Sequence, residues 1–227
     1  MPATSTDVKT LLAPKGALRA AINLGNPVLA QRAEDGTLTG ITVTLATEFA
    51  KALGVPLELL PYEGAGKVVS AAPEGVWDVA FLAIDPLRAQ DIAYTNPYII
   101  IEGVFVVPEA SSFRTPTDVD ASGVRIAVGK GAAYELHLKR TCEKAELVAY
   151  ATPPEVLPGF ARDGLEAGAG IRQPAAAFVA ANPGFRVIDE PFMEIRQAVA
   201  VPIANKAAIS WLQGQLDSAK AAGLTPA

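Results

Sequence analysis

Arg88 is the residue of this sequence best placed for ligand chemistry. It follows a continuous, mostly apolar run, Asp78 to Ile84 (DVAFLAI), typical of a strand buried on both faces of a parallel sheet. Open α/β folds bind ligands beyond the carboxyl ends of such strands. A guanidinium there can hold a carboxylate through two parallel hydrogen bonds, which lysine cannot reproduce. The sequence predicts an anion site at Arg88, with Ala83 and Asp85 beside it. The alternative is a surface arginine in a solvated turn.

A glycine turn provides a second candidate site. It contains Lys130, Gly131, Ala132 and Ala133 and opens a predicted helix. Backbone N–H groups at a helix N-terminus, aided by the helix dipole, bind anions without a special side chain. The turn therefore predicts a backbone anion site, with a glycine required only for backbone geometry as the alternative. Lys130 is expected to face solvent, and a ligand contact is its alternative role.

Alternating strands and helices position the first site. A strand at Leu18 to Leu24 is followed by a helix that ends at Gly54, a strand at Leu57 to Leu60, a weaker helix, and the buried run Asp78 to Ile84. This β-α-β-α-β order predicts an α/β lobe with right-handed crossovers.

The pattern restarts after Val104 to Val107, which ends at Pro108 and leads into a polar linker. The strands predicted next are Val124 to Val128, Leu147 to Tyr150, Ala167 to Ile171 and Phe185 to Ile188, with helices after Gly129, at Glu155 to Arg162 and at Ala175 to Ala181. A return strand at Ala198 to Val201 and a last helix at Ala204 to Ala222 close the chain. Two α/β units with a late return segment predict two lobes joined by two strands.

Composition excludes several classes of function. The net charge of −5 argues against a general nucleic-acid binder, which needs a basic face. The sequence contains no run of 18 or more apolar residues, so no transmembrane helix is predicted. His137 is the only histidine, which excludes metal sites built on several histidines and argues against a Ser-His-Asp triad. Cys142 is the only cysteine, so no internal disulfide can form. The sequence therefore predicts no metal site, and it predicts no cofactor, because phosphate-binding and dinucleotide-binding motifs are missing.

Four stretches resemble the family 3 solute-binding proteins, which have the type II periplasmic-binding-protein fold. They read GALRAAINLGNPV, EDGTLTGITVTLATEFAKALGV, WDVAFLAIDPLRAQDIAYTNPYI and GVRIAVGKGAAYE. The third is the most specific. The resemblance implies an α/β fold with two Rossmann-like lobes, one at 1–102 plus 198–227 and the other at 103–197. It also implies a two-strand hinge near Glu102–Val106 and Arg196–Val201.

The resemblance also implies ligand contacts. In amino-acid-binding relatives the arginine at the position of Arg88 grips the ligand carboxylate. Asn23 and Asn26 follow the first strand in a region where relatives contact ligand. Relatives often place Ser or Thr after the second glycine of the turn, where this chain has Ala132 and Ala133, so only backbone donors are expected there.

One departure from the family pattern affects the choice of ligand. Amino-acid binders usually carry an aspartate at the end of the later strand of lobe two, where it pairs with the ligand ammonium. Here Ile171 stands there, followed by Arg172 and Gln173. Arg172 would repel an ammonium, so a carboxylate or dicarboxylate without an amine, or a ligand with an apolar tail, is expected. Arg172 is then either a second anion clamp or a surface residue.

Two further residues are possible contacts. Glu102 lies in the apolar stretch IIIEGVF, where a carboxylate has to be paired or neutralised. A hinge hydrogen bond is its expected role and a ligand contact the alternative. Tyr98 either lines the cleft or packs in the core with a wet hydroxyl.

The function predicted from the resemblance is capture of a small carboxylate-bearing molecule between the lobes by a monomeric receptor, working with ABC-transporter membrane subunits. Location depends on the start of the chain, which lacks a secretory signal: periplasmic if a signal peptide was removed, cytoplasmic if Met1 is native. Two alternatives remain open. One is a cytosolic lyase resembling cyclohexadienyl dehydratase, with Glu102 or Asp85 as the acid. The other is a cytosolic metabolite sensor.

Overall fold

The computed structural model describes residues 5–224, which divide into two compact units. Unit 1 comprises the described residues up to Ile100 together with those from Arg196 onward, and unit 2 is Ile101–Ile195. The first part of the chain forms α1 (Ser5–Leu12), β1 (Leu18–Asn23), β2 (Gln31–Arg32), β3 (Leu38–Thr39), α2 (Ile41–Leu53), β4 (Leu57–Tyr62), α3 (Ala65–Ser70), β5 (Val79–Ala83) and β6 (Ile92–Pro108).

The remaining elements complete unit 2 and return to unit 1. They are α4 (Pro116–Val119), β7 (Arg125–Gly129), α5 (Ala133–Thr141), β8 (Glu146–Tyr150), α6 (Val156–Arg162), β9 (Ala167–Ile171), α7 (Arg172–Ala181), β10 (Phe185–Val187), β11 (Met193–Pro202) and α8 (Ile209–Ala221). Short 3-10 turns occur at Ala72–Glu74, Arg88–Gln90, Pro153–Glu155 and Ile203–Ala208. Two strands, β6 and β11, contribute residues to both units.

Unit 1 is built on parallel strands with one antiparallel neighbour. The strand order is β4-β1-β5-β11; β1 pairs in parallel with β4 and β5, and β11 runs antiparallel to β5. All five residues of β5 are buried, as expected for a strand covered on both faces. The carboxyl ends of β1, β4 and β5 therefore lie at one edge of this sheet.

Successive side chains of these strands point to opposite faces of the sheet, so the core of unit 1 has two layers. Phe81 packs with α2 and α8 on one face, where it stacks on Phe49 at 6.4 Å between ring centroids. Leu82 faces the opposite layer together with Val68 and Trp77. Helix α2 ends where Gly54 adopts a left-handed φ of 63°, a conformation that glycine accepts without strain.

Unit 2 repeats this arrangement with different connections. The strand order is β6-β9-β7-β8; β7 is parallel to β8 and β9, β9 is antiparallel to β6, and β10 pairs with β6. Val104 and Val106 of β6 pack with Leu157 and Phe160 of α6 in its core. The carboxyl ends of β7, β8 and β9 meet at one edge, beside the residues of β6 that enter unit 2.

Each unit contains an arginine–carboxylate ion pair with the same set of hydrogen bonds, which we call a charged staple. The sequence does not reveal this similarity as a repeat. In unit 1 the backbone N–H and Nε of Arg19 donate to Asp78 Oδ2 at 2.9 and 3.0 Å, and Nη2 donates to Oδ1 at 2.6 Å. In unit 2 Arg125 makes the same three bonds to Glu166 at 2.8, 2.9 and 2.8 Å. Each guanidinium also donates to a glycine carbonyl at 2.8 Å. The staple ties the second residue of β1 and the first residue of β7 to the residue immediately before β5 and β9, respectively.

Sequence patterns and structure differ in a few elements. The strand predicted at Val104 to Val107 is part of the much longer β6, which begins at Ile92. Helix α7 begins at Arg172 instead of Ala175, because the chain turns directly out of β9. The last predicted helix starts as the 3-10 turn Ile203–Ala208 before it becomes α8. Helices α1 and α4 and strands β2 and β3 were not predicted, and the order of the predicted elements is unchanged.

Candidate functional site

The carboxyl edge of unit 1 carries most of the ligand residues predicted for that half of the chain. Asn23 ends β1 and Ala83 ends β5, and the parallel pairing of these strands places both ends on the same side of the sheet. Gln197 of β11 lies directly opposite Ala83 in the antiparallel register. Asp85 and Arg88 follow in the loop that leaves β5. This edge is where an open α/β sheet binds its ligands.

The guanidinium of Arg88 is fixed at the end of β5. Its Nη1 donates to the carbonyl oxygen of Ala83 at 3.1 Å, and the residue is only 3% exposed. Arg88 opens the short 3-10 turn Arg88–Gln90. A buried guanidinium needs acceptors or a negative charge to offset its lost hydration. Arg88 is therefore buried at the edge of the sheet, bonded to Ala83, and is not the solvated surface arginine considered from the sequence.

Asp85 shapes the loop that carries Arg88. Its Oδ1 accepts the backbone N–H of Leu87 at 2.9 Å, and its carbonyl accepts the N–H of Ala89 at 2.9 Å. The side chain is buried, with 3% of the residue exposed. An aspartate that bonds the backbone two residues on forms an Asx turn. Asp85 thus has a structural role in positioning Arg88, and a ligand contact for it stays a prediction.

Asn23 and Asn26 also use their side-chain oxygens inside their own loop. Asn23 Oδ1 accepts the N–H of Gly25 at 3.0 Å, and Asn26 Oδ1 accepts the N–H of Val28 at 3.2 Å. Asn26 is 3% exposed, whereas Asn23 is partly exposed. Both bonds are Asx turns that order the segment after β1. Of the two, Asn23 is the more accessible to a solute.

Tyr98 belongs to the core of unit 1. It is 3% exposed, and its ring meets Phe81 edge-on at 6.2 Å. Its hydroxyl and that of Tyr94 are the buried side-chain groups that lack a hydrogen-bond partner among the described residues. Burial raises the pKa of Tyr98, and burial raises the pKa of Tyr94 to about 12 although the charge of Arg88 opposes that rise. Tyr94 lies in β6, the strand that follows the loop of Arg88 in the chain.

In unit 2 the glycine turn is already occupied by a carboxylate of its own helix. Gly131 has a left-handed φ of 73°, and its N–H donates to Glu135 Oε2 at 2.6 Å. Glu135 is 2% exposed, and its Oε1 accepts from Lys139 Nζ at 2.7 Å. The backbone donor expected to bind a ligand anion thus faces a buried carboxylate from the first turn of α5. A second anion at this position would meet like charge.

The other residues of that turn have simpler environments. Lys130 is exposed, and its backbone N–H donates to the carbonyl of Tyr150 at 2.9 Å. Ala132 is buried and donates its N–H to Gly129 at 3.0 Å, while Ala133 is partly exposed as the first residue of α5. The exposed side chain of Lys130 agrees with the expectation that it faces solvent.

Glu102 and Arg172 form an ion pair at the end of β9. Gly103 pairs with Ile171 in the antiparallel register of β6 and β9, which brings the preceding Glu102 close to the following Arg172. Arg172 Nε donates to Glu102 Oε2, and Nη2 donates to the carbonyl of Asp189 at 2.5 Å. The two side chains are 43% and 32% exposed. Glu102 is thus paired with Arg172, and its carboxylate also remains accessible to solvent although the neighbouring residues of the sequence are apolar.

Gln173 is exposed as the second residue of α7. Among residues that the sequence analysis did not select, Glu135 and Gln197 lie at the two carboxyl edges. Glu135 could have been found from the sequence, because it stands four residues after Gly131 in the first turn of a helix. Gln197 is 5% exposed and directly precedes the apolar run Ala198–Val201, and this polar residue at the start of a buried run is the signal that could have identified it.

The sequence pattern of the bacterial extracellular solute-binding proteins, family 3, matches residues 18–225. The chain belongs to this family. The predicted family, the α/β fold and its type II periplasmic-binding-protein class are thereby confirmed. Within the described part of the chain, no helix is long and apolar enough to cross a membrane. Residues 5–224 also contain no group of three or more His, Cys, Asp and Glu side chains arranged to hold a metal.

A curated relative carries the name of an amino-acid-binding protein. The L-cystine-binding protein TcyJ of Escherichia coli K12 is 27% identical over 142 residues, which is 62% of this chain and 53% of TcyJ. The match thus spans about half the length of the curated relative. A variant of ArgBP from T. maritima superimposes with a TM-score of 0.80 at 22% identity and covers 97% of this chain and 95% of its own.

A further solved structure is the ancestral amino acid-binding protein AncCDT-1, described as a precursor of cyclohexadienyl dehydratase. It has a TM-score of 0.78 at 22% identity and covers 94% of this chain and 93% of its own. At these identities the two solved structures show the fold alone.

Proposed function

We propose that this protein is a solute-binding protein that captures a small carboxylate-bearing molecule between its two lobes, 1–102 plus 198–227 and 103–197. The observation that carries the proposal is the buried guanidinium of Arg88, anchored on Ala83 at the carboxyl edge of unit 1 in a chain of the solute-binding family. Arg88 binds the carboxylate first, and unit 2 then closes over the solute. A ligand that bridges both lobes stabilises the closed state by its differential affinity for it.

The biological setting of the proposal follows the family. The protein delivers its solute to the membrane subunits of an ABC-type transporter and acts outside the cytoplasm as a monomer. A receptor of this kind returns its solute unchanged. Support comes from the match to extracellular solute-binding proteins and from the binding roles in the names of its relatives.

The test is a binding screen of purified protein against carboxylates, dicarboxylates, amino acids and prephenate, by thermal shift and then calorimetry. With a stabilising acid in hand, Arg88→Ala is expected to weaken binding by roughly 2 kcal/mol or more, because an enclosed carboxylate would lose its partner. Arg88→Lys is the matched control, since it keeps the charge but loses the bidentate geometry; intermediate affinity is expected. A urea titration of each variant separates loss of binding from loss of folding. Unchanged affinity in Arg88→Ala would exclude the carboxylate clamp.

The same samples distinguish a receptor from an enzyme, the alternative suggested by the likeness in fold to AncCDT-1. Elimination of water needs a general acid close to the leaving group. Glu102, one of the carboxyl groups considered for that role, accepts a hydrogen bond from Arg172 instead. Mass spectrometry of each mixture should return the acid unchanged. A new product at the expense of the acid would establish a lyase and overturn the receptor assignment.

A further inference from the structure

A pocket of about 430 Å³ opens at the amino edge of the sheet of unit 1, opposite the edge that carries Arg88. Arg19 of β1, Asp78 just before β5 and Pro202 at the end of the antiparallel β11 border it. At about 3.3 Å per residue, Asp78 lies roughly 16 Å along the strand from Ala83 at the other edge. All residues of the pocket wall belong to unit 1. The pocket is therefore separate from the candidate site at Arg88 and lies within one unit.

The polar part of the pocket wall is the guanidinium of Arg19, which has five N–H groups. Nε and Nη2 donate to Asp78, and Nη1 donates to the carbonyl of Gly75 at 2.8 Å. Both of these partners border the pocket together with Arg19. The other two guanidinium N–H groups have no acceptor among residues 5–224, although Arg19 is only 7% exposed. Buried donors are nearly always hydrogen-bonded, so a ligand atom that accepts from Arg19 would complete this wall.

The staple of unit 2 shows why the burial of Arg19 matters. Arg125 makes the same bonds to Glu166 and to a glycine carbonyl, but its side chain is 41% exposed. Bulk water can therefore reach the remaining N–H groups of Arg125. The side chain of Arg19 is 9% exposed and has little such access. Its two remaining donors consequently favour a solute that brings an acceptor into the pocket.

The rest of the wall is largely apolar and is tied to the fold. Trp77 is 1% exposed, and its Nε1 donates to the carbonyl of Val68 at 3.0 Å. Ile203 leaves 42% of its surface exposed, and its N–H donates to the carbonyl of Asp91 at 2.7 Å. Three prolines, whose φ angles are fixed by their rings, also border the pocket: Pro14, Pro73 and Pro202. Sites for small molecules have about this size and composition, mostly apolar with a few placed polar groups.

The charges around the pocket balance one another. Arg19 is paired with Asp78 at 2.6 Å, and the exposed side chains of Lys15 and Asp91 at the pocket have opposite signs. A carboxylate would gain little from a guanidinium that is already neutralised, and it would lie near two aspartates. An uncharged solute has no ionic hydration to lose on entering. The pocket therefore favours a neutral molecule over an anion.

We propose that this pocket is a second binding site, which takes a small uncharged molecule with an apolar body and a carbonyl oxygen. The carbonyl oxygen accepts from the two remaining N–H groups of Arg19, and the apolar body packs against Trp77 and Ile203. Amides and cyclic ketones have this chemistry. The proposal does not depend on Arg88, because the two sites lie at opposite edges of the sheet.

The experiment compares benzamide with benzoate, which has the same shape but a negative charge, and with toluene, which lacks an acceptor. Binding is followed by the NMR signals of the two tryptophan indole N–H groups, assigned with Trp211→Phe. Trp77 borders the pocket and Trp211 does not, so benzamide in the millimolar range should shift the Trp77 signal saturably and leave that of Trp211 in place. Benzoate and toluene should each bind about tenfold more weakly or worse, because one meets like charge and the other leaves the donors unpaired.

Ala204→Phe tests the location, since Ala204 is exposed and borders the pocket, and a phenyl ring there should weaken benzamide binding by about tenfold or more. Ala207→Phe is the matched control: it is exposed on the same 3-10 turn, does not border the pocket and should stay within about twofold of wild type. Arg19→Lys keeps the charge opposite Asp78 but loses the spare N–H groups, so it should weaken benzamide and not toluene. A urea titration checks that it folds, and the other comparisons stand if it does not. An unmoved Trp77 signal with benzamide, tighter binding of benzoate, or equal benzamide affinity in Ala204→Phe and Ala207→Phe would overturn the proposal.

Discussion

The two charged staples make the same hydrogen bonds in different surroundings, and this permits a direct test of what burial contributes. The side chains of Arg19 and Asp78 are 9% and 2% exposed, whereas those of Arg125 and Glu166 are 41% and 35% exposed. Asp78→Asn leaves a buried guanidinium without its counter-charge. Such losses cost about 3–5 kcal/mol in buried pairs, but exposed pairs contribute only about 0–1 kcal/mol. Glu166→Gln is therefore the matched variant with a small expected effect.

The assay is urea denaturation followed by two probes. The chain has two tryptophans, Trp77 and Trp211, and both lie in unit 1, so their fluorescence reports that unit, while far-UV circular dichroism reports both. Asp78→Asn should lower the fluorescence midpoint strongly. In thermal melts, a protein of this length loses about 2–4 °C per kcal/mol, which predicts a drop of roughly 6–20 °C. Glu166→Gln should leave both midpoints close to wild type.

A double variant separates charge from packing. Arg19→Met with Asp78→Leu removes both charges and fills the space with apolar atoms, and buried pairs replaced in this way often lose little stability or gain some. It should therefore be more stable than Asp78→Asn alone. Equal losses for Asp78→Asn and Glu166→Gln would refute the reasoning, because the hydrogen bonds themselves, and not burial, would then determine the contribution of each staple.

Four further substitutions probe the environment of single residues. Tyr98→Phe removes a buried hydroxyl that lacks a partner, so the free energy of unfolding should stay level or rise by up to about 1–3 kcal/mol in urea; a clear loss would indicate an unseen partner for the hydroxyl. Backbone N–H groups of the loop after α5 lower the pKa of Asp120, so its stabilising effect is present above the unfolded pKa of about 3.9 and is lost as pH falls through the folded value. Asp120→Asn should thus cost about 1–2 kcal/mol at pH 7 and flatten the acid limb of a stability-versus-pH curve; an unchanged limb would contradict this. Gly159→Ala should destabilise, because a Cβ there would lie 2.1 Å from the ring of Tyr150, whereas Gly214→Ala in mid-helix, with open space around it, should stabilise by about 0.5–1 kcal/mol; equal midpoints would refute the steric argument.

Local patterns were sufficient for most of the fold. The apolar run that forms β5 and the periodicity that ends α2 at Gly54 carry their own signals, because burial on both faces and a left-handed helix end each require particular residue types. Strand β6 was recognised only over its last residues. Its first half contains Asn96 and Pro97, residues with low strand propensity that the tertiary structure accommodates. The division of the chain into lobes that move about a hinge stays a prediction.

The sequence predicted which residues are candidates for the site better than it predicted their burial and hydrogen-bond partners. Arg88 could be predicted from its position after a buried strand, because the residues that follow a strand in the sequence lie at its carboxyl end. Its anchoring on Ala83 depends on how the intervening loop winds around Asp85, which no pattern specifies. Gln197 reaches the same edge only because β11 pairs with β5 across more than 100 residues. Sequence order therefore predicts which edge is the candidate ligand site, and long-range pairing decides which side chains line that edge.

Unit 2 contains two groups that were predicted to bind anions, the N–H of Gly131 and the side chain of Arg172. They show which contacts local sequence can predict and which it cannot. The bond from Gly131 to Glu135 spans four residues, and a carboxylate in the first turn of a helix is the ordinary partner of such a donor, so closer attention to local chemistry could have anticipated it. The bond from Arg172 to Glu102 spans 70 residues and exists because β6 runs antiparallel to β9 with Gly103 opposite Ile171. A shift of that register by one residue would carry Glu102 to the other face of the strand and leave Arg172 as the anion clamp that the sequence suggests. The pairing of Arg172 with Glu102 is thus determined by strand register, and the identity of Arg172 alone does not predict whether its charge is already neutralised.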